Sequence, residues 1–413
     1  MIDFFTKTLS NGLKVIVHPD NSTPIAAVNI MYNVGSKHEN PNKTGFAHLF
    51  EHLMFGGSIN IPVFDQPLTA VGGDNNAFTT NDLTNYYESV PAANIETAFW
   101  LESDRMLQLA FSKKSLDVQK KVVIEEFNQR YLNQPYGDVW LLLRPLAYKE
   151  HPYQWPTIGK STKHIQDATL NDVKNFFYHH YAPNNAVLCV VGPVEPESVF
   201  SMVEKWFGPI EHRDVDQKPI SPEPEQSEPR HLEVERDVPF NAIYKAYHMS
   251  KRNHPDYAPT DLLSDILSNG KSSRLYQHLV KEQQLFSTIN AYITGDMENG
   301  LFVITGQLFD GVSYQAAEKA IDNELEKIIG GNITEYELQK VQNKFEANFI
   351  YDSTNALNKA MNLCYYEMLG DANMLNKEVE VYQQVTLQDI SRVAAKLFRK
   401  TNCSTLYYKS KKS

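Results

Sequence analysis

A polar, acidic stretch from Glu211 to Pro229 divides this chain of 413 residues into two halves of nearly equal length. Four prolines crowd into the stretch, namely Pro219, Pro222, Pro224 and Pro229. Proline lacks a backbone N–H and has a fixed φ, so repeated prolines exclude helix interiors and central strands. We therefore expect an exposed, semi-extended linker over residues 213–230, between an N-terminal domain over 1–212 and a C-terminal domain over 231–413.

Both halves carry a similar succession of patterns, which indicates an internal duplication. Each begins with an alternating apolar run, at Ile25–Tyr32 and at Ala242–His248, and each ends with a helix pattern followed by a strand pattern. Between them lie paired strand patterns at 76–80, 85–90, 287–293 and 301–308, and long helix patterns at 116–131, 139–148, 335–350 and 356–368. Strands grouped apart from long helices favour layered domains over a parallel doubly wound sheet. The sequence predicts an α+β fold of two structurally related domains, each an antiparallel-rich sheet packed with long helices.

Charge and cysteine usage exclude several functional classes. The chain has 39 basic and 50 acidic side chains, whereas a surface that binds nucleic acid needs a basic excess, so we expect no nucleic-acid partner. Cys189, Cys364 and Cys403 are widely spaced, which argues against a disulfide framework or a thiolate metal site. The N-terminus shows no signal peptide and no run reaches the roughly 18 apolar residues of a membrane helix. We expect a cytoplasmic protein with no membrane partner, or a periplasmic one if a leader was removed.

Residues 45–57 carry the sharpest chemical pattern, with two histidines and a glutamate in the order H-x-x-E-H. His48 and His52 are four residues apart, so on a helix their imidazoles lie on one face, one turn apart. This spacing suits two nitrogen ligands of one tetrahedral Zn²⁺. Glu51 lies beside His52, where we expect a general base that acts on a metal-activated water. Thr44 is the expected N-terminal cap of this helix.

A structural role for the same residues is the alternative. His48 would pair with Glu51 across one helical turn, and His52 would be a satisfied core histidine. The residues around them are largely apolar, however, and burying two imidazoles and a carboxylate there is costly unless a metal or polar partners compensate. The pattern therefore favours a metal site.

A catalytic zinc site needs a third protein ligand, and the helix pattern over residues 119–131 offers Glu125 and Glu126. Glu126 follows Val122 by four residues and Val123 by three, which places it beside the apolar, inward-facing stripe. Glu125 follows Lys121 by four residues, as in a solvated ion-pair face. We predict Glu126 as the ligand, with two surface glutamates as the alternative.

These motifs resemble those of the pitrilysin-type zinc metallopeptidases, the inverzincins, and especially half-length members such as the mitochondrial processing peptidase beta subunit. The resemblance covers essentially the whole chain and is strongest over residues 10–210. Further family-like segments lie at 9–13, 34–36, 72–79, 151–153 and 181–186. In this family the third ligand is a glutamate somewhat over seventy residues after the second histidine, and 73 residues separate His52 from Glu126.

The resemblance implies one Zn²⁺ per chain, with Glu51 as the catalytic base. An acid often lies seven residues before the third ligand, but Gln119 occupies that position here, and its amide is expected to orient a ligand by hydrogen bonding. Family members also bind substrate as an extended strand on a sheet edge. The matching segment is Asn76, Ala77 and Phe78.

The second half departs from the family pattern. Active members usually carry an Arg-x6-Tyr pair there, but this chain has Val280 and Ser287 at those positions, or Leu279 and Phe286 if the alignment shifts by one residue. In the family, this pair stabilises the oxyanion and the substrate backbone. Its absence predicts that a homologous half-length chain supplies the pair.

The sequence therefore predicts a zinc endopeptidase subunit that hydrolyses oligopeptides or unfolded segments and is completed by a homologous partner in a heterodimer. Two alternatives stay open. One is a self-sufficient homodimeric peptidase, and the other is a non-catalytic assembly or peptide-binding subunit.

Overall fold

A computed structural model describes residues 1–215 and 219–411 of the chain. Its strands are β1 (Phe5–Thr8), β2 (Lys14–Pro19), β3 (Ile25–Tyr32), β4 (Asp74–Thr79), β5 (Thr84–Pro91), β6 (Ala186–Gly192), β7 (Arg230–Arg236), β8 (Ala242–His248), β9 (Phe286–Ile293), β10 (Leu301–Leu308) and β11 (Cys403–Ser410). These strands form two sheets.

The α-helices follow the amphipathic patterns of the sequence. They are α1 (Phe46–Leu53), α2 (Asp65–Ala70), α3 (Ile95–Leu107), α4 (Lys113–Phe127), α5 (Val139–Ala147), α6 (Thr162–Gln166), α7 (Leu170–His180), α8 (Pro196–Phe207), α9 (Tyr257–Ser268), α10 (Tyr314–Ile329), α11 (Glu335–Asp352), α12 (Ala356–Met368), α13 (Glu378–Gln383) and α14 (Leu387–Leu397). Short 3₁₀ or π-helical turns lie between several of them. In the described part of the chain, no helix combines the length and the apolar character that a membrane span requires.

The first compact unit comprises residues 1–129, 155–220 and 350–377. Its sheet has the order β1-β2-β6-β3-β5-β4, in which β2 and β6 are parallel and the other neighbours are antiparallel. Strands β3 and β6 are buried almost throughout because α12 packs against both of them. Strand β4 lies at the edge of this sheet, where α1 and α2 contact it.

The second compact unit comprises residues 130–154, 221–349 and 378–413. Its sheet has the order β7-β11-β8-β10-β9, with β7 and β11 parallel and the other neighbours antiparallel. One apolar cluster joins α9, α10 and α14 to this sheet, and a smaller one joins α5 to β8 and β11. Each unit thus combines one sheet with several helices, and this arrangement confirms the predicted α+β fold class.

The compact units are not contiguous in sequence. Helix α5 lies in the N-terminal half of the chain but belongs to the second unit, and α12 lies in the C-terminal half but belongs to the first. The predicted domain boundaries, 1–212 and 231–413, remain a prediction. Within the predicted linker, residues 216–218 lie outside the described residues, and 213–215 and 219–227 have no regular secondary structure.

The linker prediction is wrong at one point, because part of the stretch is anchored in the second unit. Gln226 is buried, and its side-chain amide donates to the Cys403 carbonyl oxygen at 2.9 Å. The Glu223 carboxylate accepts backbone N–H groups from Lys149, Glu150 and His151. Composition shows that a segment lacks helix and strand, but it does not show which of its side chains find buried partners.

Candidate metal centre

Helix α1 begins at a glycine in the left-handed region and is capped from a distance. Gly45 has a φ of 87°. The Glu39 carboxylate accepts the N–H groups of Gly45 and Ala47 at 2.9 and 2.8 Å and the indole N–H of Trp155 at 3.0 Å. The predicted cap Thr44 is wrong, since its hydroxyl instead contacts His164 at 2.8 Å. Burial raises the pKa of Glu39 to about 8, although the N–H donors act in the opposite direction.

The imidazoles of α1 and a carboxylate of α4 meet in one cluster. The Glu126 Oε2 atom lies 3.6 Å from His48 Nε2 and 3.5 Å from His52 Nε2. The two imidazole rings are 4.9 Å apart between centroids and nearly perpendicular. All three side chains are partly exposed, at 13, 25 and 19% for His48, His52 and Glu126.

The donor set and its spacing fit a catalytic zinc ion. Potential ligand atoms of His48, His52 and Glu126 lie within 4.8 Å of one another. Among the described residues, this is the one group of three or more His, Cys, Asp or Glu side chains that could hold a metal ion. Zinc–ligand distances of 2.0–2.1 Å place tetrahedral ligands about 3.3 Å apart, close to the distances that Glu126 makes with both rings. Two imidazole nitrogens and one carboxylate oxygen leave a fourth position for water or substrate.

The helical phase of α4 separates the two candidate glutamates. Glu126 is half-buried and faces α1, whereas Glu125 is exposed and lies 3.5 Å from the Gln129 amide nitrogen. Val123 is buried as expected, but Val122 is 44% exposed, so only one of the two valines lines the inward stripe. Gln119 is half-buried, and its role in orienting a ligand stays a prediction.

Glu51 lies on the same helix, between the metal cluster and the edge strand. The Thr79 hydroxyl on β4 donates to Glu51 Oε2 at 2.7 Å. Behind it lie the buried hydroxyls of Tyr86 and Tyr181, 3.2 Å apart. Burial raises the pKa of both tyrosines, and the negative charge of Glu51 adds to the effect. Both phenols therefore stay neutral, and the Thr79 hydroxyl of the sheet contacts the carboxylate.

The predicted substrate-binding residues lie on the edge strand β4. Asn76 and Phe78 are exposed, and Ala77 between them is half-buried, in the alternation of a strand with one covered face. The Ala77 N–H is bonded to the Asn76 side-chain oxygen at 2.8 Å. Within the described sheet β4 pairs only with β5, so its other side offers main-chain groups to an added strand.

In the second unit the structure gives no arginine–tyrosine pair at the positions that the family pattern specifies. Leu279 and Phe286 are fully buried in the core. Ser287 lies on β9 and its hydroxyl donates to the Gln307 carbonyl oxygen at 3.3 Å. The nearby Arg274 is engaged elsewhere, in a two-pronged ion pair with Glu337 at 2.6 and 2.8 Å.

Two features of the site were missed by sequence reasoning. Glu39 lies six residues before Gly45 and shows no local capping pattern, and the contact of Thr79 with Glu51 joins residues 28 positions apart. The only available signal for Glu39 was an acidic residue shortly before a helix start, which is common on protein surfaces.

Comparison with known proteins matches the profile of Insulinase (Peptidase family M16) to residues 14–159 and that of the Peptidase M16 inactive domain to residues 167–345. The chain is 32% identical over 410 residues to the zinc protease PqqE of Helicobacter pylori, covering 97% of this chain and 92% of that protein. The chain belongs to peptidase family M16.

Solved M16 structures share the fold over nearly the whole chain. A protease from Helicobacter pylori superimposes with a TM-score of 0.92 at 30% identity, covering 99% of this chain and all of that one. Pitrilysin superimposes with a TM-score of 0.79 at 18% identity, covering 99% of this chain and 45% of pitrilysin. The family profiles and the identity to PqqE confirm the pitrilysin-type family predicted from the motifs.

Proposed function

We propose that this M16 chain is a zinc-dependent endopeptidase subunit. The observation that carries the proposal is the meeting of His48, His52 and Glu126 beside Glu51, in a chain whose relatives are named zinc proteases. The three clustered side chains would hold one zinc ion per chain. When bound, zinc supplies Lewis acidity that activates water and polarises a carbonyl at neutral pH.

Glu51 performs the proton transfers in this proposal. It stands one residue before His52 on α1 and accepts a hydrogen bond from the Thr79 hydroxyl. Its carboxylate takes the proton of the water that attacks the scissile carbonyl and then delivers this proton to the leaving amine. Peptide hydrolysis therefore requires Glu51 to be ionised when the water attacks and protonated when the amine leaves, and delivery of the proton restores the ionised form.

The substrate segment binds as a strand along β4. Its backbone pairs with the open side of Asn76–Phe78, and it replaces the Asn76 side chain as the partner of the Ala77 N–H. Main-chain pairing makes little demand on sequence but requires an extended substrate. Oligopeptides and unfolded segments meet that requirement, and folded proteins do not.

A homologous partner chain would complete the site. Val280 and Ser287 cannot stabilise an oxyanion or hold a substrate backbone as an arginine and a tyrosine do. The match of residues 167–345 to a domain described as inactive supports this division of labour. A self-sufficient homodimer and a non-catalytic peptide-binding subunit are the alternatives that the experiment separates.

Zinc content and peptide hydrolysis test the proposal together. The purified chain is assayed for bound zinc and then for cleavage of a quenched fluorescent peptide library, with and without a chelator and with and without the homologous chain. We expect one zinc per chain, chelator-sensitive cleavage, and a loss of about 10²-fold or more in kcat for Glu51→Gln with zinc retained. Normal cleavage by Glu51→Gln refutes the role of the base, and the absence of zinc favours the non-catalytic subunit.

A further inference from the structure

The polar contact that joins Glu51 to the edge strand has a second consequence. We propose that Thr79 is a positioning residue, which fixes the carboxylate of Glu51 in the orientation needed for proton transfer. This inference rests on the proposed function insofar as Glu51 is taken to be the base. The geometric part, that the Thr79 hydroxyl holds the Glu51 carboxylate in place, stands on the structure itself.

The hydroxyl is well placed to fix the carboxylate. Thr79 Oγ1 lies 2.7 Å from Glu51 Oε2, a distance typical of a charge-assisted O–H···O⁻ hydrogen bond. Such a bond restrains rotation of the carboxylate about its last side-chain torsion, which is otherwise broad. A base that waits in the reactive orientation avoids the entropic cost of finding it in each cycle.

The donor is itself held rigidly by the strand end. Thr79 is the last residue of β4 and pairs in register with Thr84 of β5, whose buried hydroxyl donates to the Val34 carbonyl oxygen at 2.8 Å. The turn between them is closed by Thr80, whose hydroxyl accepts the Leu83 N–H at 3.1 Å. Threonine is also β-branched, which limits its χ1 rotamers. The hydroxyl therefore has little freedom to leave Glu51.

The alternation of β4 explains why this strand reaches both substrate and base. Asn76 and Phe78 point to the exposed side, whereas Asn75, Ala77 and Thr79 point to the covered side. On the covered side Thr79 contacts α1 through Glu51, and Asn75 contacts α2 through a hydrogen bond to Asp65 at 2.9 Å. The strand that would pair with the peptide is thus the same one that orients the base.

The contact of Asn75 with Asp65 provides a matched control. It is another tether from the covered face of β4 to a helix, but it does not involve the metal cluster or Glu51. If the bond from Thr79 merely attached β4 to its neighbours, Asn75→Ala and Thr79→Val would have similar effects. If Thr79 positions the base, only Thr79→Val lowers kcat.

The kinetic test compares Thr79→Val, Thr79→Ser and Asn75→Ala in the full chain, with the homologous chain added where the wild type needs it. For Thr79→Val we expect kcat to fall about 10- to 100-fold, with KM and zinc content near the wild-type values. Serine restores the hydroxyl, so Thr79→Ser should recover kcat to within about threefold of wild type. A wild-type kcat in Thr79→Val, or an equal loss in Asn75→Ala, overturns the inference.

A structural readout tests the geometry independently of turnover. Crystal structures of the wild type, Thr79→Val and Thr79→Ser should show the Glu51 carboxylate displaced only in the valine variant, with His48, His52 and Glu126 in place. An undisplaced Glu51 in Thr79→Val overturns the positioning role. If the wild type never cleaves peptides but Glu51 moves in Thr79→Val, the peptidase proposal fails while the positioning geometry holds.

Discussion

Replacing Glu126 by glutamine separates a metal ligand from a surface glutamate. The amide keeps the shape of the side chain but removes the negative charge that lies 3.5–3.6 Å from both imidazoles. Loss of a group that only supports a ligand costs about 10- to 100-fold in metal affinity, so loss of a direct ligand should cost at least about 100-fold, or roughly 2.7 kcal/mol. At saturating zinc the same difference appears in the free energy of unfolding.

Without zinc the substitution should change little. All three side chains are partly exposed, and exposed ion pairs contribute about 1 kcal/mol or less. For a unit of this size, 1 kcal/mol corresponds to a change of about 2–4 °C in melting temperature. The zinc-induced rise in melting temperature should therefore be smaller by roughly 5–10 °C in Glu126→Gln, while the metal-free Tm stays near that of wild type. Differential scanning calorimetry with and without zinc measures both quantities.

Glu125→Gln is the matched control, because its side chain is the adjacent exposed one on the same helix. Chelator competition gives the zinc affinity of each variant directly. We expect Glu125→Gln to bind zinc as the wild type does. Wild-type zinc affinity in Glu126→Gln would refute the assignment, and a selective loss in Glu125→Gln would mean that Glu125 is the ligand.

Two further predictions concern the stability of the first unit. Burial raises the pKa of Glu39 to about 8 from an ordinary 4.5, so between these pH values the folded chain keeps a proton that the unfolded chain releases. The free energy of unfolding should therefore fall as pH rises from about 4.5 to 8, by up to about 1.4 kcal/mol per pH unit. Urea unfolding at several pH values should show a flatter dependence in Glu39→Gln, and an unchanged slope would contradict this. Arg105 is fully buried and paired with Glu88 and Glu102, so Arg105→Leu leaves both acids buried without a cation. We expect a loss of about 3–5 kcal/mol in the same measurement, and a loss below about 1 kcal/mol would show that the acids become neutral at little cost.

Local periodicity predicted much of the fold, and it predicted which glutamate of α4 faces the two histidines. Strands β3, β8 and β10 and helix α12 begin and end at the predicted residues, since each is a single amphipathic or buried run between turn signals. Helical phase alone already favours Glu126 over Glu125 as the candidate ligand, independently of the family resemblance. These predictions needed no knowledge of what lies across from each element, because the helix and strand repeats fix which residues share a face.

Interactions between distant segments could not be read in the same way. The sequence pattern predicts two contiguous halves, but α5 and α12 each belong to the compact unit that is built mainly from the other half. Residue propensities for helix caps also do not identify Glu39 as the cap of α1. Its carboxyl oxygens reach the N–H groups of Gly45 and Ala47 only because the loop before Gly45 folds back. The exposure of Val122 is a similar case, because periodicity predicts a stripe but not how far the neighbouring helix covers it.

The position of the two histidines follows from the core and not from the metal chemistry. Helix α1 has only eight residues, whereas isolated helices below about 12–15 residues are marginal in water. It is held by its buried face, formed by Phe46, Ala47, Leu49, Phe50 and Leu53, and by the carboxyl group of Glu39 at its start. His48, Glu51 and His52 lie on the opposite face of the helix. Packing of the apolar face therefore forms the helix, and the helix sets the spacing of these three side chains. Substitution of a ligand should therefore remove zinc and leave the fold, whereas loss of the Glu39 cap or of the apolar face should disturb the fold and the site together.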